Sequence, residues 1–259
     1  MAFSFYFGHL KLLFKLLARW QKIFKIGAAI PALILAVGGV FLFQPDWIVT
    51  TIAKRSPQVV YFVETEQPVV ALTIDDGPDP FTTPRILDLL DRHDARATFF
   101  LITGRIPGSE SVVVRMVEEK HELANHLTTD ERSVLLPPAE FERQLSEAHD
   151  TLSQFADVRW FRPGSGWYNA QMLATVHEYG YRCALGSVHP FDPQIASARF
   201  SARYVLSNVR PGSIIILHDY GARGERTLTA LSTILPELDR RGFRVVTLSE
   251  LLEIQSADE

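Results

Sequence analysis

Leu72-Thr73-Ile74-Asp75-Asp76-Gly77-Pro78 is the stretch from which the rest of this chain can be read. The apolar, β-branched run from Val69 to Ile74 has the character of a buried parallel strand, and Gly77-Pro78 prevents its continuation. Two adjacent carboxylates therefore stand at the C-terminal tip of a strand, where α/β folds gather their chemistry. Turn chemistry alone offers a second reading, a loop whose Asp caps the helix that starts near Thr82.

Downstream of this strand, short apolar runs of strand type alternate with helical patterns. They fall at residues 69–75, 82–93, 97–102, 111–120, 122–125, 138–155, 159–162, 169–179, 182–187, 202–209, 213–218, 227–241 and 243–247. Gly180 and Gly242 punctuate two of the helix ends. Repeated βα units require parallel pairing with right-handed crossovers, which leaves a doubly wound sheet or a barrel. About seven units in roughly 190 residues favour an α/β fold of the distorted (β/α) barrel type. Neither an internal repeat nor a low-complexity tract interrupts the series.

The composition, 47% apolar and 22% charged over 259 residues, is that of a globular chain, and the net charge of -4 provides no basic surface for nucleic acid. The first 25 residues are different. Lys11, Lys15, Arg19, Lys22 and Lys25 are their only charged side chains, and on a helix they fall within roughly 120° of arc. Such a basic amphipathic segment suits an anionic membrane surface.

The uncharged run 26–43 that follows is 18 residues long, at the short end of what spans a bilayer. We expect a retained transmembrane signal anchor with the N-terminus in the cytoplasm and the rest of the chain outside it. A signal peptide that is cleaved, giving a secreted protein, is the alternative. Residues 44–68 read as a connector holding a stalk and a first irregular strand, and 69–254 as the catalytic domain. The lone Cys183 has no partner for an intramolecular disulfide and sits in an apolar strand-like segment. The sequence gives no oligomeric state.

Three further groups stand at element ends. His126 and Asp130 follow the strand at 122–125, and a helical turn there would put both on one face, able to grip one ion. With Asp76 they make three protein ligands for zinc or a related divalent metal and leave room for water. Thr128, Thr129 and Asp130 read equally as a helix cap. Arg162 ends a short strand beside the turn Pro163-Gly164-Ser165-Gly166, where its fork can hold a carboxylate while the turn offers backbone N–H groups. His218 comes directly after the apolar run Ile214 to Leu217. Asp75, Asp76 and Asp130 in one pocket would repel one another, and a divalent ion with Arg162 would neutralise them.

In this order the motifs resemble those of the polysaccharide deacetylases, the NodB-homology enzymes of carbohydrate esterase family 4 that include chitin deacetylases. Asp75-Asp76-Gly77-Pro78 is similar to the family's T-F-D-D-G-P, with Ile74 in place of Phe. His126 and Asp130 are similar to H-S/T-x-x-H/D, with Leu127 in place of Ser or Thr. Arg162 onward is similar to R-P-P-Y-G, with Gly164 in place of the second Pro. Leu217-His218-Asp219 is similar to the last motif, and Asp192 to the acid that supports its His, with Pro193 in place of a Trp.

The resemblance implies a distorted (β/α) barrel and a metal held by Asp76, His126 and Asp130, zinc first, with cobalt or manganese possible. It implies Asp75 as base, Arg162 as the residue that orients it, His218 as general acid and Asp192 as its support. Ser165 would contribute backbone to an oxyanion pocket, and Leu217 would line the acetyl group. Trp167 and Tyr168 would offer faces to sugar rings, with core packing the alternative for each. The implied reaction releases acetate from N-acetyl groups of a chitin-type or peptidoglycan-type glycan. An O-acetyl esterase acting on xylan-like glycans and a catalytically silent carbohydrate-binding protein on the same scaffold are the alternatives.

Overall fold

The computed structural model describes residues 46–258, together with Pro31, Gly38 and Gly39. The chain divides into two compact units, Met1–Pro45 and Asp46–Glu259, and every element named below belongs to the second. Helix α1 (Asp46–Arg55) leads into strands β1 (Val59–Val60) and β2 (Val69–Asp75). Then come α2 (Thr83–Asp91), β3 (Ala97–Leu101), α3 (Glu110–Glu118), β4 (Glu122–Asn125) and α4 (Pro138–Leu152). The chain continues through β5 (Trp160–Phe161), α5 (Ala170–Glu178), β6 (Arg182–Ala184), α6 (Ala198–Asn208), β7 (Ile214–His218), α7 (Ala222–Arg240), β8 (Arg244–Val246) and α8 (Leu248–Asp258).

Seven strands run in the order β1-β6-β5-β4-β3-β2-β7, every pairing parallel, with β8 beside the start of β2. The sheet curls into an incomplete barrel. Its far regions meet only through two isolated bridges, Phe62 with Ser213 and Val188 with Ile215. The expected α/β architecture of about seven parallel strands is therefore present.

β2 explains the continuous apolar run, because it is covered on both faces. Its alternate residues Val70, Leu72 and Ile74 pack with Leu87 and Leu90 of α2 and Leu231 and Leu235 of α7. Val69 and Ala71 point the other way, into an interior with Phe100, Ala124, Trp160, Ala184 and Ile214. Each such apolar side chain contributes about 1.5–3 kcal/mol on burial. The central strand is thus held rigidly, and its tip can carry side chains in fixed positions.

One expectation about the N-terminal part changes, and another lies outside the described residues. The connector proposed for 44–68 holds a regular helix, α1, whose Val49 and Ala53 pack against a cluster of Tyr61, Phe141, Phe161 and Tyr181. Two apolar positions four apart are enough to dock a helix on a waiting core, yet too few to reveal its period. The basic segment 1–25 and the span 26–43 lie outside the described residues, apart from Pro31, Gly38 and Gly39. Among the described residues, no helix is long and apolar enough to cross a membrane.

Candidate active site

The parallel register sets Asp75 of β2 directly beside His218 of β7. Asp75 Oδ1 accepts a hydrogen bond of 2.5 Å from Arg162 Nη1, and both side chains are buried, Arg162 to 2% exposure. The guanidinium is fixed from every side. It donates to the Thr73 hydroxyl (2.8 Å), to the carbonyls of Ala184 (3.0 Å) and Leu185 (3.3 Å), and lies 3.9 Å from the centroid of the Phe100 ring. Burial pulls the Arg162 pKa down and Asp75 pushes against that pull; an arginine starts so high that it remains a cation. The sequence places this residue at a strand tip because Pro163 stops β5 there.

Asp76 follows with φ 74, a left-handed backbone that Asp tolerates better than most residues, and this keeps its carboxylate at the mouth instead of on the opposite face that extended backbone would give it. Its Oδ1 lies 3.6 Å from His126 Nε2. His126 Nδ1 is 2.7 Å from the carbonyl oxygen of Arg162, which can only accept, so Nδ1 carries the ring proton. In the neutral form of the ring, Nε2 would then turn a lone pair toward the carboxylate. Two electron-pair donors facing each other at this distance suit a divalent cation, and an imidazole oriented by a carbonyl is the usual partner of such an ion.

Asp130 does not join them. Among the described residues, the metal-ligating groups gathered within 4.8 Å are His189, Asp192 and His218, not Asp76, His126 and Asp130. The helical turn expected over 126–130 is not formed, because Leu127 takes φ 66 and the chain continues through bends. Asp130 Oδ2 instead pairs with Arg105 Nη2 at 3.0 Å and lies 4.0 Å from Arg223 Nη2. Arg223 Nη1 also reaches Asp76 Oδ2 at 2.6 Å, and Arg105 Nη1 donates to the Asp76 carbonyl at 2.6 Å. Neither arginine was singled out from the sequence, since Arg105 in a short 3-10 turn and Arg223 in the first turn of α7 are far along the chain from the carboxylates they meet.

On the other side of Asp75, His218 Nδ1 is 2.9 and 3.0 Å from the two oxygens of Asp192. Burial lowers the pKa of His218, but the hydrogen bond and charge of Asp192, with Asp75 and Asp76 beyond, outweigh it and leave the value raised above 6.5. His189 joins this pair with its ring centroid 6.0 Å from that of His218. Burial, reinforced by the neighbouring His218, drives the His189 pKa down to about 4, so it is neutral where His218 holds a proton. Its place three residues before Asp192 is the only sequence signal that pointed to it.

The turn Gly164–Gly166 brings Ser165 to φ 66, between a Gly164 N–H donated to the Ser133 hydroxyl and a Gly166 N–H donated to the Pro163 carbonyl. Trp167 after it is 70% exposed, which leaves its face open, whereas Tyr168 bonds to the Tyr61 hydroxyl at 2.7 Å. Leu217 is a correction. It has no exposed surface and packs with α2 and α7, because a strand alternates and Leu217 points opposite to His218. Ile216, two residues before His218, is the apolar side chain on the histidine's face.

Buried struts tie the loops together. Asp79 accepts from the N–H groups of Phe81 and Thr82 (2.9 Å each) and of Gly221 (3.0 Å), which lower its pKa against the opposing effect of burial. Asp219 accepts from the hydroxyls of Thr82 and Thr83 and is pushed by burial up to about 7. The loop after β2 and the loop after β7 are thereby one rigid frame around Asp75, Asp76 and His218.

Comparison with known proteins identifies the family. Residues 62–184 match the family model described as polysaccharide deacetylase. A peptidoglycan-N-acetylglucosamine deacetylase of Bacillus cereus is 34% identical over 197 residues, covering 75% of this chain and 92% of the relative. A chitooligosaccharide deacetylase of a Bradyrhizobium species is 36% identical over 196 residues, covering 70% and 90%. The solved structure of a peptidoglycan deacetylase from Bacillus subtilis superposes with a TM-score of 0.70 at 28% identity, covering 76% of this chain and 95% of that one. With nine-tenths of these relatives spanned at about a third identity, the chain belongs to the polysaccharide deacetylase family of hydrolases.

Proposed function

We propose that the protein removes N-acetyl groups from a GlcNAc-containing polysaccharide of the peptidoglycan or chitin type and releases acetate. The observation that carries this reading is the register pair of Asp75 and His218, each backed by its own orienting partner, Arg162 and Asp192. A carboxylate fixed by a guanidinium and, beside it, a histidine backed by a second carboxylate are a base and an acid for one acyl centre. The activities printed for the Bacillus and Bradyrhizobium relatives support the amide substrate.

In this reading Asp76, His126 and Asp130 hold a divalent metal, zinc first, which when bound polarises the acyl oxygen and acidifies water. Asp75, fixed by Arg162, takes the proton of the attacking water. The Ser165 N–H faces the oxygen that gains charge. His218, held by Asp192, delivers its proton to the nitrogen so that the amine can leave. Trp167, beside this turn and widely exposed, stacks on a sugar ring of the chain being processed.

Acetate release from peptidoglycan, chitin oligomers and acetylxylan, with and without a chelator, tests the proposal. Release from the two N-acetylated glycans that the chelator stops is the expected outcome. Release from acetylxylan alone would make the protein an esterase, and no release from any of the three despite bound metal would leave a binding protein. Asp75→Asn should abolish turnover while bound metal stays unchanged, and an active variant would remove Asp75 from the base position.

A further inference from the structure

The three carboxylates of the pocket, Asp75, Asp76 and Asp130, already face three guanidiniums, Arg162, Arg105 and Arg223. The pocket is therefore close to neutral from its own side chains. A divalent ion added to that set would leave it with two positive charges in excess, at a short distance and in part out of water, which is costly. A guanidinium that leaves when the ion arrives relieves part of that excess.

We propose that Arg223 is a displaceable internal counter-ion, which occupies the carboxylates of Asp76 and Asp130 until a divalent metal takes them over. This rests on the metal reading above. Arg105 and Arg162 are not free to go. Arg162 is sealed in the interior, and Arg105, 16% exposed, donates to the Asp76 carbonyl and lies 3.7 Å from the centroid of the Tyr220 ring, contacts that a metal would not remove.

Arg223 is held differently. Its side chain is 36% exposed, and its ion pairs run to Asp76 and Asp130, the same two groups the metal would take. It also stands in the first turn of α7, where the helix dipole disfavours a cation. Once the carboxylates are occupied, nothing electrostatic keeps it there. The backbone need not follow. A Cβ on Gly224 would lie 2.3 Å from the Thr82 hydroxyl, so the start of α7 is pinned against the loop after β2 and only the side chain swings out.

The test is a calorimetric titration of Zn²⁺ alone into the full chain in detergent, comparing the native protein with Arg223→Gln and Arg223→Lys. Arg223→Gln should bind Zn²⁺ at least tenfold more tightly than the native protein, and Arg223→Lys, which keeps the competing charge, should stay closer to native. Equal or weaker binding by Arg223→Gln overturns the proposal, as does the absence of any Zn²⁺ binding that Asp76→Asn removes. Because affinity is read without substrate, tighter binding by Arg223→Gln with no acetate released by any form would sink the hydrolase reading and leave the counter-ion standing.

Discussion

Replacing Arg162 by Met is the most severe single test of how this site is built. The native guanidinium makes hydrogen bonds to Asp75, Thr73, Ala184 and Leu185 with only 2% of it exposed. Met fills most of the volume and supplies none of the donors, so Asp75 is left as a buried charge without its cation. Breaking one half of a buried pair costs about 3–5 kcal/mol. With a urea dependence of about 2 kcal/mol per molar, the unfolding midpoint should fall by roughly 2 M. Adding Asp75→Asn removes the orphaned charge and should recover a substantial part of the loss, although both variants are inactive. Equilibrium urea unfolding of the native chain, the two single variants and the double variant measures the coupling. If Arg162→Met unfolds within about 1 kcal/mol of native, or the double variant is no more stable than Arg162→Met, the buried pair is not what holds the strand tips together.

Other consequences are read by pH. On the proposed mechanism the activity limb that falls on the alkaline side is that of His218, whose value is raised above 6.5 by Asp192 against the opposing effect of burial; Asp192→Asn should move that limb to lower pH in rate profiles, and an unmoved limb would separate the two residues. His121 is driven by burial down to about 4, and its Nδ1 accepts the Ala97 N–H at 3.1 Å. The unfolded chain therefore takes up this proton first as pH falls, so the stability is intact above 6.5 and is lost toward pH 4. A depression of this size corresponds to about 3 kcal/mol. A His121→Gln variant should show a flatter loss of stability across that window, and an identical slope would exclude His121 as its source.

The strand tips were legible because their signals are local. An apolar run stopped by Gly-Pro, by Pro163 or by the end of β7 places Asp75, Asp76, Arg162 and His218 without knowledge of any contact. The helical turn expected to bring Asp130 beside His126 needs right-handed backbone at Leu127, and tertiary packing of that side chain into the cluster with Phe141 and Leu145 goes with φ 66 instead. Leu217 enters as a lining of the acetyl group only through the family resemblance, whereas alternation along a strand decides which side chain shares the face of His218. Arg105 and Arg223 carry no local pattern, and His189 only its place three residues before Asp192. Their significance lies in pairs separated by 25 residues or more along the chain for the arginines, and in the curl of the sheet for the histidine.

The two neighbouring acids Asp75 and Asp76 are equally hidden, with side chains 5% and 4% exposed, yet their counter-charges differ in kind. Asp75 faces a cation that comes from inside the barrel, over the Phe100 ring, and that has no route out. Asp76 faces one that comes from the solvent side of the mouth. Positive φ at Asp76 produces this division, since extended backbone there would send its side chain to the face opposite Asp75 along the strand and into the helix layer. One turn of the backbone thus sets a permanently paired carboxylate next to an exchangeable one. On the proposed mechanism a base has to keep its charge and aim through every turnover, and a ligand has to accept a new partner; the dipeptide suits both demands because one counter-ion enters from the barrel interior and the other from the solvent side of the mouth.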